Sequence, residues 1–366
     1  MAPPGAEASP FGRGRSGPAL PLRFRPILKE KVWGGRRLES LLGKVLPGSG
    51  PYGESWEVAD CDGDRSLVDG GPWDGLDLHA LVAAHPEAVL GRRGAEFPLL
   101  LKTIDASDWL SVQLHPAGAP GEVGARDGGP APRKKTEAWI ILDAPPGARI
   151  IYGLADGVER ERFFDTALSG AGERIQTLLG WREVRAGDVV FLPPGTIHAI
   201  GPGILLLEVQ ENSDTTYRIY DWDRPGLDGR PRGLHLAEAR SVAPPSGPIP
   251  CPYVRLEPPG QDHRGGAETP LIDCEPFRID ALRLPAGRPH LGSTGRGEES
   301  RFLVLGGFAG SAVVSAGEGE PGVEVRRGEF LLLPAALGDF TVTARPGGFT
   351  GLWVREGNTG RIGRHE

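Results

Sequence analysis

The feature that most constrains this chain is a series of short apolar segments, each bounded by glycine or proline. Examples are FPLLLKTIDA, EAWIIL, DVVFLP and ILLLEVQ. Short segments rich in β-branched residues and separated by turn signals predict strands rather than helices. Glycine and proline, which account for 56 and 36 of the 366 residues, supply the turns. We therefore expect an all-β-dominated fold, built as a sandwich or barrel.

The predicted strands fall into two blocks. The first block covers residues 21–245 and is interrupted by a predicted helical insertion at about 158–179, and the second covers 250–356. Residues 1–20 are predicted to be a disordered tail, and the proline-rich segment 243–252 is the predicted linker. Two strand-rich blocks in one chain favour two related β-barrel domains.

A faint internal repeat supports this division. Gly187 and Pro193 enclose an apolar strand, and Gly328 and Pro334 enclose another with the same spacing. A histidine follows the first copy at position 198, whereas Asp339 stands at the matching position of the second copy. We therefore expect the second barrel to bind no metal.

Composition and charge exclude several classes of function. The formal net charge of −7 argues against a nucleic-acid-binding protein and gives no reason to expect a membrane partner. Three scattered cysteines are too few for a disulfide framework, which favours a reducing cytoplasm. The first twenty residues lack the apolar core of a secretory signal, and no apolar run is long enough to span a bilayer.

The strongest local motif is GDVVFLPPGTIHAIG, residues 187–201. Gly187 makes a turn into a strand, Pro193 and Gly195 make a tight turn out of it, and His198 is then directed inward. This spacing resembles the second motif of the cupin superfamily, whose members fold as jelly-roll barrels. The motif predicts His198 as a metal ligand.

Other candidate ligands lie on neighbouring predicted strands. Gln113 and His115 are two residues apart in SVQLHP, so their side chains share one face of a strand. Glu137 begins the next strand, in KKTEAW. Two imidazoles, a carboxylate and an amide oxygen suit Zn²⁺. An iron-dependent cupin oxygenase is an alternative, although Gln-x-His fits it poorly because such enzymes more often offer His-x-His or three histidines.

Several motifs in order carry a more specific resemblance. The segments KVWGG, GESWEVAD, FPLLLKTIDASDWLSVQLHP, KTEAWIIL, GDVVFLPPGTIHAIG and LLLEVQENSDTTYRIYDWDR resemble the type I mannose-6-phosphate isomerases, in their short bacterial form. The resemblance runs from about Leu22 to Leu236 and more loosely to residue 356. It implies two cupin-like barrels and one zinc ion per chain. It also implies the zinc ligands, which are Gln113, His115, Glu137 and His198.

The same resemblance implies roles for three further polar residues. Arg218, in TTYRIYDWDR, matches the active-site arginine of the family, and Lys135 and Glu208 match substrate-binding positions. The implied reaction interconverts mannose 6-phosphate and fructose 6-phosphate through a cis-enediol, so the expected partner is a small sugar phosphate. The proton-transferring base stays open between Glu208 and a zinc-bound water. A non-catalytic sugar-phosphate-binding protein is the alternative within this fold.

One segment departs from the family pattern. Residues 116–134 are rich in glycine, proline and alanine, where the family would carry a polar, partly helical connector. One wall of the pocket is therefore expected to differ in shape from that of its relatives.

Overall fold

The computed structural model describes residues 17–117, 133–170, 172–243, 254–256, 267–317 and 322–357. Most of the predicted tail, most of the predicted loop 116–134 and most of the predicted linker lie outside these residues.

Strands dominate the described part of the chain. The strands are β1 (Phe24–Arg25), β2 (Ile27–Gly35), β3 (Tyr52–Val58), β4 (Asp60–Cys61), β5 (Asp64–Arg65), β6 (Leu67–Val68), β7 (Leu99–Ala106), β8 (Val112–Leu114), β9 (Glu137–Asp143), β10 (Arg149–Leu154), β11 (Leu179–Glu183), β12 (Asp188–Leu192), β13 (His198–Ile200), β14 (Ile204–Glu211), β15 (Tyr217–Tyr220), β16 (Val254–Arg255), β17 (Ala267–Asp273), β18 (Phe277–Leu284), β19 (Pro289–Ser293), β20 (Leu303–Ser315), β21 (Val323–Arg326), β22 (Phe330–Leu333) and β23 (Asp339–Glu356). The helices are α1 (Arg37–Ser40), α2 (Leu78–Ala84), α3 (Pro86–Leu90), α4 (Arg160–Leu168), α5 (Gly172–Gln176) and α6 (Leu236–Val242).

Two antiparallel sheets pack face to face in the first block. A five-stranded sheet has the order β11-β10-β13-β8-β15, and a seven-stranded sheet has the order β16-β12-β9-β14-β7-β2-β3. Their inner faces share one buried apolar cluster, to which Trp139 and Leu206 contribute from the larger sheet and Ile150 and Ile200 from the smaller. Alternation along each strand directs these side chains inward.

The outer faces of both sheets are covered as well. Helices α4, α5 and α6 pack on the five-stranded sheet, where Phe163 and Phe164 contact the apolar face that includes Ile219. The outer face of the seven-stranded sheet packs against the second block, and Leu207 and Leu352 belong to the same buried cluster. The two blocks therefore share a continuous apolar core.

The second block forms one further antiparallel sheet around β20 and β23. The sequence predicts separate strands over 301–306 and 311–315, and this is wrong, because β20 runs without a break through both. Its glycine-rich centre produces register shifts between Gly307 and Ala309 and between Gly310 and Ala312 instead of a chain reversal. The sequence also predicts a strand over 351–354, and this segment lies near the end of the long β23. The division into domains at 245 and 250 stays a prediction, and Val254–Arg255 pairs with β12 of the first block.

The internal repeat has a physical basis in the backbone. Gly187 and Gly328 both have positive φ, of 90° and 78°, and each leads into a strand that ends before a proline. A side chain at Gly187 would collide with the carbonyl oxygen of Leu256. Asp339, at the position matching His198, is exposed and pairs with Arg296.

The short helices were largely predictable. The sequence predicts short helices at about 36–42 and 76–84 and the helical pair at 158–179, and α1, α2, α4 and α5 confirm them. The sequence also predicts that the helix over 76–84 stops at His85, because a proline follows, and α2 ends there. Pro86 in turn begins α3, which was not predicted. Helix α6 was missed too. Nowhere in the described residues does a helix combine the length and the apolar character needed to cross a membrane.

Candidate metal centre

Strand register brings distant residues together on the five-stranded sheet. Strand β8 lies between β13 and β15, so Gln113 is directly opposite His198 on one side and Arg218 on the other. Residues directly opposite on antiparallel strands have Cβ atoms about 4.5–5.5 Å apart. His115 follows β8 immediately and lies two residues from Gln113, on the same face.

The facing sheet contributes a second row of residues. Lys102 on β7 is opposite Glu208 on β14, and Glu208 is opposite Trp139 on β9. Glu137 is the first residue of β9 and is opposite Gln210. The two rows border a cavity of about 250 Å³ between the sheets.

Three side chains of types that can bind a metal ion meet at one end of this cavity. The Nε2 atom of His115 lies 3.2 Å from Oε2 of Glu137, and the Nε2 atom of His198 lies 3.3 Å from Oε1. The other ring nitrogens face backbone carbonyls, since Nδ1 of His115 is 2.9 Å from Thr215 O and Nδ1 of His198 is 2.8 Å from Thr196 O. Each Nδ1 therefore carries the proton, and each Nε2 directs a lone pair at the carboxylate.

This arrangement fits a divalent cation. The ligand atoms of the three residues lie within 4.8 Å of one another. Glu137 is 1% exposed, and within the described part of the chain neither of its oxygens accepts a well-formed hydrogen bond. Lys135 Nζ lies 3.0 Å from Oε2 of Glu137 and 3.2 Å from Nε2 of His115, so its charge offsets the repulsion on that side of the cluster. On the other side, Oε1 of Glu137 lies 3.3 Å from Nε2 of His198, and a lone pair and a carboxylate oxygen held this close repel one another unless a cation lies between them.

Gln113 adjoins the three residues as a fourth donor. Its Nε2 atom lies 3.4 Å from Nε2 of His198, and its Oε1 accepts a hydrogen bond from Ser111 Oγ at 3.0 Å. The two ends of an amide are assigned from their hydrogen bonds. A half-turn of the amide places Oε1 beside His198 and lets Nε2 donate to the serine hydroxyl, which is the orientation that a metal would require.

Burial and nearby charges keep these groups in the protonation states that can bind a metal ion. Burial lowers the pKa of His198 to about 3 and lowers the pKa of His115 as well, so both rings are neutral near pH 7. Burial alone would raise the pKa of Glu137, but Lys135 and then the two histidines hold it well below its usual range. Neutral imidazoles and an ionised carboxylate are the states that bind a metal ion.

Beside this cluster lies a network of buried charges. Burial, followed by the negative charge of Glu137, raises the pKa of Glu208 to about 7. The Nε1–H group of Trp139 donates to Oε2 of Glu208 at 2.9 Å, and Lys102 Nζ lies 3.8 Å from its Oε1. Burial opposes the charge of Lys102, but nearby carboxylates, of which Asp214 is 3.2 Å away, raise its pKa.

Where Arg218 lines the cavity, a backbone carbonyl fixes the arginine side chain. Arg218 Nη1 donates to the carbonyl of Gly233 at 2.9 Å. Burial, and then the charge of Arg232, lower the pKa of Arg218. Trp222 and Asp223, just after β15, have positive φ values of 60° and 52°. Such strain costs about 1–3 kcal/mol per residue and is characteristic of functional sites.

Comparison with known proteins identifies the family. Residues 22–137 match the family model described as phosphomannose isomerase type I, catalytic domain. A mannose-6-phosphate isomerase of Streptococcus mutans is 33% identical over 327 residues, which cover 87% of this chain and 94% of that protein. This chain belongs to the type I mannose-6-phosphate isomerase family. The family and the isomerase class predicted from the sequence are therefore confirmed.

Further relatives agree with this assignment. Mannose-6-phosphate isomerase ManA of Bacillus subtilis is 35% identical over 326 residues, covering 87% of this chain and 95% of that protein. The crystal structure of the mannose 6-phosphate isomerase from Bacillus subtilis is 29% identical and has a TM-score of 0.75, covering 92% of this chain and 99% of that one. The β-dominated fold of the family is confirmed, whereas its description as two jelly-roll barrels stays a prediction.

All seven residues that the family resemblance singled out lie at or beside the cavity. Gln113, Lys135, His198, Glu208 and Arg218 line it, and His115 and Glu137 contact Lys135. Five further charged side chains line the cavity and were not predicted from the sequence, namely Lys31, Glu54, Lys102, Asp214 and Arg232. The sequence contained one signal for Lys102, which is the lone lysine inside the apolar strand FPLLLKTIDA. A lysine is rarely buried without a partner, so its position predicts carboxylates close to this strand.

Proposed function

We propose that this chain is a zinc-dependent aldose–ketose isomerase that interconverts mannose 6-phosphate and fructose 6-phosphate through a cis-enediol. The observation that carries the proposal is the buried group of His115, Glu137 and His198 at the end of a cavity lined by charged side chains. Membership of the mannose-6-phosphate isomerase family supports the substrate, since the relatives carry that name.

One zinc ion would be held by Gln113, His115, Glu137 and His198. When bound, it would supply a Lewis acid that polarises the hydroxyl and carbonyl oxygens of the sugar. The carbonyls of Thr215 and Thr196 fix both imidazoles in the tautomer that leaves Nε2 free for a metal.

Arg218 supplies a positive charge next to the metal ligands. A guanidinium does not lose its proton in a protein, so it can stabilise negative charge that develops on the enediol oxygens. Among the described residues, none accepts a hydrogen bond from its buried Nε atom. Lys135, beside Glu137 and His115, is assigned to substrate binding.

Glu208 is the residue that we assign to proton transfer between C1 and C2. A base works best when its pKa lies near the working pH, and burial raises the pKa of Glu208 to about 7. The indole of Trp139 fixes one carboxylate oxygen and leaves the other beside Lys102, on the cavity wall. A zinc-bound water is the competing base, and the variant E208Q distinguishes the two.

A coupled assay with mannose 6-phosphate tests the proposal. Purified chain should lose activity when treated with a chelator and regain it on addition of zinc. The variant H198N should be inactive and low in zinc, whereas H290N, in the second block, should retain both. If zinc-loaded wild-type chain shows no turnover, the proposal is wrong.

Two imidazoles and one carboxylate also occur in non-haem iron oxygenases, so this is the second candidate function. Gln113 as a fourth donor, and the family membership, favour zinc. Elemental analysis of the purified chain separates the two metals. Iron at one equivalent, together with oxygen consumption, would favour the oxygenase.

We further propose that residues 21–245 form the metal-binding cupin domain and 250–356 a cupin-like domain without metal. The described residues of the second block have a buried core of their own, which includes Leu305, Val342 and Trp353. Expression of residues 250–356 alone tests whether this block folds independently.

A further inference from the structure

Gln210 is a buried polar residue that the proposed reaction does not use. It lies on β14, two residues from Glu208 and directly opposite Glu137 on β9. Side chains two residues apart on a strand share one face, so Gln210 is directed into the space between the two sheets. It is fully buried and does not line the cavity, so it does not contact a substrate bound there. Any role that it has in the site is therefore exerted through other residues.

Two backbone carbonyls hold the amide of Gln210 in one orientation. Its Nε2 atom donates to the carbonyl of Ser213 and, at 3.1 Å, to the carbonyl of Glu211. Only the NH₂ end of an amide can face two carbonyl oxygens, so these contacts decide which end is which. Within the described part of the chain, the Oε1 atom at the other end has no hydrogen-bond partner. A buried acceptor without a donor costs free energy that an apolar side chain of similar size would avoid, so stability alone does not explain a glutamine at this position.

The contact with Ser213 fixes the turn between β14 and β15. The first residue of this turn, Asn212, is held by its backbone N–H group, which donates to the carbonyl of Pro98 at 3.0 Å. Gln210 then holds the carbonyl of Ser213, the next residue along the turn. Thr215 follows only two residues later, so its position depends on where Ser213 is held.

The same turn presents a backbone carbonyl to one of the candidate metal ligands. The carbonyl of Thr215 accepts a hydrogen bond from Nδ1 of His115 at 2.9 Å. This bond orients the ring so that Nε2 lies 3.2 Å from Oε2 of Glu137. The partner of the second ring nitrogen fixes the orientation of a metal-bound histidine. His198 does not depend on this turn, because its Nδ1 atom faces the carbonyl of Thr196, just before β13.

We propose that Gln210 is a positioning residue of the metal centre. By holding the carbonyl of Ser213, it fixes the turn that presents the Thr215 carbonyl to His115. It thereby keeps the Nε2 atom of that ring directed at the metal position. This inference rests on the metal centre of the proposed function, but not on the reaction that the centre supports.

The variant Q210M tests this inference, because methionine has a similar volume but no donor for the Ser213 carbonyl. We expect the Kd for Zn²⁺, measured by competition with a chelator, to rise by about 10- to 100-fold, which is typical when the support of a metal-bound histidine is lost. Q210L, which also lacks the donor, replaces Q210M if methionine prevents folding. Q176M is the matched control, because it makes the same substitution on α5, outside the five-stranded sheet, and its Kd should equal that of the wild type.

NMR of the histidine Nδ1 protons in the metal-free chain measures the hydrogen bond itself. Lys135 Nζ lies 3.2 Å from Nε2 of His115 and can preserve the tautomer, so the strength of the Nδ1–H bond is the quantity to compare. In Q210M, the Nδ1 proton of His115 should exchange with water about 5- to 10-fold faster, which is the factor that one hydrogen bond is typically worth. Its resonance should also move upfield. The Nδ1 proton of His198 is the internal control and should behave as in the wild type.

The two measurements can each overturn the inference. It is wrong if Q210M leaves either the Kd for zinc or the His115 proton unchanged. It is also wrong if the protons of His115 and His198 change equally, because that result shows a general loosening of the metal centre rather than an effect through the turn. If the wild type binds no zinc, the proposed function fails, and the NMR comparison still decides whether Gln210 orients His115. Far-UV circular dichroism checks that each variant is folded.

Discussion

Replacing Glu208 by glutamine should stabilise the metal-free chain at high pH and should abolish most of the activity of the zinc-loaded chain. Glu208 is buried, and its pKa rises from 4.5 to about 7 on folding because of burial and the charge of Glu137. Since the folded state holds the proton more tightly than the unfolded state, ionisation of Glu208 destabilises the fold. This cost is absent below about pH 4.5, grows between pH 4.5 and 7, and is complete above pH 7.

The size of the effect follows from the two pKa values. Each unit between 4.5 and about 7 is worth about 1.4 kcal/mol, so the ionised carboxylate costs roughly 3 kcal/mol at pH 8. Glutamine keeps an acceptor for the indole N–H of Trp139, which lies 2.9 Å from Glu208 Oε2. Lys102 keeps the nearby carboxylates of Glu54 and Asp214. Because these contacts remain, most of the free energy that ionised Glu208 costs should appear as added stability of E208Q.

Urea unfolding of chelator-treated wild type and E208Q at pH 5 and pH 8 measures this difference. E208Q should be more stable by about 3 kcal/mol at pH 8 and by much less at pH 5. The exposed carboxylate variant E298Q should show no such dependence on pH. Activity of zinc-loaded E208Q should fall by about 10²- to 10⁴-fold. A stability difference that is the same at both pH values would show that folding does not raise the pKa of Glu208, and full activity would exclude Glu208 as the base.

Three further changes have definite expected outcomes. G187A should lower the free energy of unfolding, measured in urea, by about 1–3 kcal/mol or more, because it adds a collision with the backbone to the strain of a positive φ. G229A should cost less, because Gly229 also has a positive φ, of 76°, but no atom lies near its added side chain. R218K should lower kcat by about 10²- to 10³-fold with zinc content unchanged, and unchanged kcat would contradict its role. K44M should destabilise the fold by about 3–5 kcal/mol in thermal unfolding, because it removes the ammonium group 2.8 Å from the buried Glu57 carboxylate and leaves that charge only hydroxyl hydrogen bonds, the shorter of them from Ser55 Oγ at 2.6 Å. The double variant with E57Q should recover part of this loss.

Much of the candidate site could be predicted because its residues belong to short local patterns. His198 follows a turn built from proline and glycine, and Gln113 and His115 have the two-residue spacing of one strand face. These patterns act over a few residues, so they remain visible in the sequence. The structure places these three side chains together with Glu137, although their metal-binding role itself stays a proposal.

Other parts of the site depend on register, which local patterns do not determine. Lys102 meets Glu208 only because β7 and β14 pair at one particular offset. Arg232 reaches the cavity through a loop whose course depends on Asp221 and on the contact of Trp222 with Leu110. Long-range pairings of this kind leave little trace in the local sequence, and for the same reason the length of β23 was missed.

X-ray absorption at the zinc edge shows directly whether the four candidate ligand side chains bind zinc, when the zinc-loaded chain is compared with H198N and Q113A. We expect one zinc per chain with nitrogen and oxygen ligands at about 2.0–2.2 Å, of which two are imidazoles. H198N should lose one imidazole from this shell, and Q113A should lose one oxygen donor. A metal shell that is identical in wild type and H198N would contradict the central claim that these side chains converge on a single ion.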